Sequence, residues 1–166
     1  AERAAYQAEL GQLYRLFLDA PVKAVESFDA SLVNDANYQP ALDGLWSVLR
    51  DGSVEQSLRI QAGDALLGQP TESIDAQNRL HILGVQLELI SEQSHKRDLV
   101  DQRVKLLVEE LDAVEEGVRE LMVYLESDPA ADILRERAES LAPPAGCVNE
   151  LLALYANIAE SQPVPL

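Results

Sequence analysis

Between Val100 and Leu125 the apolar residues Val100, Val104, Leu107, Leu111, Val114, Val118, Leu121 and Leu125 recur at alternating spacings of four and three. An α-helix turns once in about 3.6 residues, so the pattern predicts one long helix with a single apolar ridge. Such a ridge is hidden only against another helix, from the same chain or from a second copy.

The same periodicity divides the rest of the chain. Arg3 to Leu18 places Tyr6, Leu10, Leu13, Tyr14 and Phe17 on one face of an amphipathic helix. Pro21 suits the first turn of a second helix carrying Ala24, Val25, Phe28 and Leu32, which ends in the turn formers Asn34-Asp35-Ala36-Asn37. Tyr38 to Arg50 is a third, presenting Leu42, Leu45, Trp46 and Leu49 and stopped by Asp51-Gly52. Ser53 is the expected N-cap of a fourth, with Leu58, Ala62, Ala65 and Leu66, closed by Gly68 and Pro70.

Beyond Pro70 the elements lengthen. Thr71 or Ser73 caps a helix reaching Ser91, with Ile74, Leu80, Leu83, Leu87 and Ile90 along its inner face. Carried further, that stripe would bring Ser94, Arg97 and Asp101 inside, so the register must break between Ser91 and Lys96. The ridged helix then runs back antiparallel to Leu125 and stops at Asp128-Pro129. At about thirty residues it would measure ~45 Å, against less than ~30 Å for the helix before it. Part of the ridge is thus left for other cover, and a homodimer through the 100–125 helix stands as the alternative to closure within the chain. Two short capping helices follow, from Ala130 to Leu141 and from Cys147 to Ala159, separated by Ala142-Pro143-Pro144-Ala145-Gly146. Residues 161–166 have the composition of a tail.

Part of this order repeats. Leu10-Gly11 before Tyr14 returns as Leu45-Trp46 before Leu49 and as Leu83-Gly84 before Leu87. Ala24, Phe28 and Ser31 follow the first copy, and Leu58, Ala62, Ala65 and Pro70 follow the second. Over residues 4–70 these positions resemble the tetratricopeptide repeat, a two-helix unit of about 34 residues. The chain departs from that pattern at Gln7, where a large aromatic is usual, at Ser31, where alanine is usual, and at Ala36, where proline is usual. The resemblance implies stacked helix pairs with a concave face that binds a peptide or helix of a partner protein. Carried over residue by residue, the lining would include Gln12, Arg15, Asp43, Ser47, Arg50, His81 and Glu88. The Lys/Asn set that grips a C-terminal carboxylate in the chaperone-binding members is not matched, since Ala8, Gln12, Asp43 and Ser47 stand there.

Composition supports an all-α fold of about eight helices. Hydrophobic residues make up 47% of the 166 and aromatics only 5%, which favours a core of Leu, Val, Ile and Ala. The expected organisation is residues 1–70 as helix pairs, then 71–160 as a hairpin and bundle packed on them in one continuous domain. Thirteen basic against twenty-nine acidic side chains leave a net charge of −16, which speaks against nucleic acid and admits a basic protein partner. No apolar run approaches the ~18 residues of a membrane span. The lone Cys147 excludes an internal disulfide but leaves cytoplasm and periplasm both open, for a soluble bacterial-type protein. Opening at Ala1 without Met fits a processed product or a piece of a larger anchored protein.

Candidate chemistry is sparse. Glu92-Gln93-Ser94-His95 has the spacing of one half of a di-metal bundle site, without the second copy that site requires. Glu109, Glu110, Asp112, Glu115, Glu116 and Glu120 read as a solvated face of the long helix, and Cys147 as a small buried hydrophobe. No catalytic set, cofactor or metal is expected. The expected function is a non-enzymatic interaction or scaffold module, with a ligand-sensing or regulatory domain of a larger receptor as the alternative.

Overall fold

The computed structural model describes residues 2–161, which are all-helical with nine α-helices and no strand among them. The predicted tail from residue 162 onward lies outside the described residues. The chain forms two compact units, one ending at Leu89 and the other beginning at Ile90.

The first unit holds α1 (Glu2–Leu16), α2 (Pro21–Asn34), α3 (Gln39–Arg50), α4 (Gln56–Leu67) and α5 (Ala76–Leu89). Each helix packs on the next, and α1 also meets α3 as α2 meets α4. Proline opens α2 and α3, where a missing N–H costs nothing. Phe28 on α2 is fully buried between Gly11 of α1 and Gly44 of α3, whose lack of side chains lets three helices converge on one ring. Ser31, the departure from alanine noted above, donates its hydroxyl to the Ala4 carbonyl at 2.7 Å and ties α2 to α1.

Three local expectations change. Ser53 does not cap α4; its N–H (3.0 Å) and hydroxyl (2.6 Å) both bond Asp51 Oδ1 in an Asx-type turn, and α4 begins at Gln56. Neither Thr71 nor Ser73 caps α5, because Asp75 does so by accepting the Asn78 N–H at 2.8 Å. Most consequentially, α1 buries the small residues Ala4, Ala8 and Gly11 and turns Tyr6 and Leu13 outward, with Phe17 exposed just past its end. The close approach of α2 admits only small side chains on that side.

The second unit holds α6 (Gln93–Lys105), α7 (Val114–Ser127), α8 (Asp132–Ala145) and α9 (Val148–Ser161). The predicted rod is therefore two helices. After Lys105 the chain widens into a single π turn, Leu106–Glu110, and reverses through Leu111–Ala113. Leu111 N–H reaches the Leu106 carbonyl at 3.0 Å, Ala113 N–H reaches that of Leu107 at 2.7 Å, and Asp112 takes a left-handed φ of 52°. The ridge is covered by its own other half together with α8 and α9: Val100, Val104, Leu107, Val118, Leu121 and Leu125 are all buried. The ridge is folded back on itself, with Leu111 and Val114 half-buried at the reversal. Gly117 marks the crossing, since a Cβ there would stand 3.2 Å from Val108 Cγ2. Glu120 is not on a solvated face either; it pairs with Arg103 across the hairpin, Nη2 to Oε2 at 3.0 Å.

The Pro143-Pro144 pair lies inside the last turn of α8, which continues to Ala145. Gly146 ends the helix with φ 73°, and the Cys147 N–H closes on the Ala142 carbonyl at 2.9 Å, a Schellman-type stop.

Candidate functional site

Burial of Leu42, Leu45 and Leu49 on the inner side of α3 places Asp43, Trp46, Ser47 and Arg50 on its outer side, at spacings of three and four. With Arg15, Asp51 and Asn78 of α5 they line an open groove of about 560 Å³. Trp46, expected among the core residues, is half-buried, packing against the core and also lining the groove. The Arg50 guanidinium stacks over its ring at 4.5 Å, and the His81 ring lies 5.7 Å away at a 34° tilt.

The polar rim is held in place. Gln39 Nε2 donates to Asp43 Oδ1 at 2.8 Å, and Arg15 approaches Asp51 at 3.8 Å. The Ser53 hydroxyl and backbone N–H, with Arg15 nearby, keep the Asp51 carboxyl below its ordinary pKa. The groove thus offers an aromatic face, two guanidinium groups and two carboxylates.

Of the residues singled out by sequence, Arg15, Asp43, Ser47 and Arg50 come together here, and His81 joins through its ring contact with Trp46. Gln12 is half-buried on α1 and Glu88 is exposed near the end of α5, and neither lines the groove. Sequence reasoning missed Trp46, Asp51 and Asn78 as lining. The Trp46 to Arg50 spacing of four was the available signal for the first.

The second unit has its own open groove, about 450 Å³, between α6 and the start of α8. Arg97, Asp98 and Asp101 line one side, and the chain from Ala130 to Leu134 the other. The polar residues that broke the apolar stripe in the sequence are therefore matched in space. Arg97 forks onto Asp128 at 2.7 and 3.0 Å, Tyr124 donates to Gln93 Oε1 at 3.0 Å, and Asp101 receives Lys105 at 2.8 Å as well as Arg137. The Arg97 hydrogen bond holds the Asp128 carboxyl below its usual range. Burial pushes Asp101 upward, but the bonds from Lys105 and Arg137 outweigh it and its pKa is lowered.

Glu92 and His95 meet at 3.2 Å on the surface, each well exposed. Among the described residues no group of three or more His, Cys, Asp or Glu side chains is placed to hold a metal ion. Cys147 is buried, and burial followed by Glu150 raises its thiol pKa, which disfavours the reactive thiolate. No described helix is long and apolar enough to cross a membrane. Compared with protein-family models, curated proteins and solved structures, the chain matches none.

Proposed function

We propose that this chain is a non-enzymatic protein–protein interaction module in which tetratricopeptide-like helix pairs hold a peptide or helix of a partner protein along the Trp46 groove. The observation that carries this reading is the Trp46 indole, partly exposed in an open groove and flanked by Arg50 and His81. A flat aromatic with guanidinium groups beside it gives a side chain of the partner a stacking surface and its backbone or carboxylates a donor. The open form of the groove suits an extended segment better than the enclosed small ligand that a sensing domain would take.

The test is selection of peptides from a random displayed library on the intact chain, read out by Trp46 emission. Trp46 is the single tryptophan, so its fluorescence reports groove occupancy alone. Selected peptides are expected to shift that emission saturably and to lose about tenfold in affinity for Arg15→Glu with Arg50→Glu, an expected loss of about 1.4 kcal/mol. Peptides that bind without moving the emission, or equally to the double variant with unchanged circular dichroism, would defeat the assignment to this groove.

A further inference from the structure

Tyr6, Leu10 and Leu13 on α1, and Phe17 one residue past its end, follow one another at spacings of four, three and four, the seam of a helix that coils with another helix. Leu10 is half-buried and the other three are left exposed. The opposite side of α1, Ala4, Ala8 and Gly11, faces the core, while Tyr6, Leu13 and Phe17 are 64%, 50% and 76% exposed. Leu16 and Leu18 extend the apolar surface at its C-terminal end, each 63% exposed. Monomers rarely leave a continuous apolar patch of several large side chains uncovered unless something binds it.

The border of the seam says what that is. Glu2 and Glu9 stand seven residues apart along one edge, both exposed, and neither enters an ion pair among the described residues. Arg3, the next seam position upstream, ends the ridge. A second copy laid on this face would bring its own Glu2 and Glu9 and another chain of charge −16. We propose that this face of α1 takes a cationic amphipathic helix of a partner protein, its apolar ridge on Tyr6, Leu10, Leu13 and Phe17 and a Lys or Arg set against Glu2 and Glu9. Helices recognised this way dock an apolar stripe and use flanking charge to choose register and partner. The face is separate from the Trp46 groove, and the proposal stands whether or not that groove binds a peptide.

Three synthetic three-heptad peptides test it by fluorescence anisotropy against the intact chain. One has a leucine seam flanked by lysines, the second the same seam flanked by glutamates, and the third the lysines with an alanine seam. The Lys/Leu peptide is expected to bind saturably and at least about tenfold more tightly than either control. Leu13→Asp with Phe17→Asp should remove that binding while circular dichroism and the thermal midpoint stay unchanged, because both side chains are exposed. Glu2→Lys with Glu9→Lys should transfer the preference to the Glu/Leu peptide. Equal binding of the Lys/Ala peptide, or binding that survives Leu13→Asp with Phe17→Asp, would reduce the effect to bulk charge and overturn the proposal. So would the absence of saturable binding, or light scattering that returns twice the chain mass and reverts to one chain on Leu13→Asp.

Discussion

The ring of Phe28 presses against the bare backbone of Gly44, where an added Cβ would stand 2.5 Å from the ring Cζ. A Cβ on Gly11 would likewise stand 2.6 Å from Cε1 of the same ring. Phe28 is fully buried and in close contact with both glycines, so it has little room to retreat. Gly44→Ala gains about 1 kcal/mol of helix propensity and loses about 1–3 kcal/mol or more to overpacking. Net destabilisation is expected in urea unfolding, with the midpoint lowered and the slope unchanged. A variant as stable as the parent would show that the ring yields more freely than its burial implies.

Asp112 stands at the reversal between α6 and α7 with φ 52°, a conformation that aspartate tolerates and alanine does not favour. Asp112→Ala is expected to destabilise the second unit by about 1–2 kcal/mol, and Asp112→Gly to leave it equal or firmer. One continuous helix through this position would respond with the opposite order, because alanine is the better helix former. Chemical unfolding of the two variants side by side decides between a reversal and a rod.

Asp128, with Asp101, contributes to the acid pH dependence of the second unit. Its folded pKa lies below the unfolded one, mainly through the Arg97 hydrogen bond. The stabilisation is therefore complete above the unfolded value of about 4 and is lost as pH falls through the lower folded value. Asp128→Asn should lower the thermal midpoint by a few degrees at neutral pH, and the gap to the parent should close in acid. A gap that is constant with pH would assign the loss to packing rather than to the carboxylate charge.

Much of the fold was legible from spacing alone. Leu42, Leu45 and Leu49, or Val118, Leu121 and Leu125, lie inside because apolar residues at helical intervals have few other places to go. Four groove residues, Arg15, Asp43, Ser47 and Arg50, were also found from the repeat pattern, since they lie on one side of their helices once the apolar side is assigned. Trp46 packs against the core as its position beside Leu45 suggests, and its second role as groove lining is not visible in the same pattern. The reversal at Leu111–Ala113 was missed for a related reason: a heptad ridge keeps its phase across a tight turn, so the two halves read as one rod.

The order of apolar and polar residues determined by itself that this protein is all-helical, where most helices start, and that its charge is strongly acidic. Tertiary structure alone decided which face of α1 is inside. On α1 the apolar ridge lost that competition to alanine and glycine, because Phe28 fills the space between α1 and α3 and only small neighbours let it in. Periodicity reports that a face is apolar; the volume left by neighbouring helices decides whether that face is buried or offered to a partner.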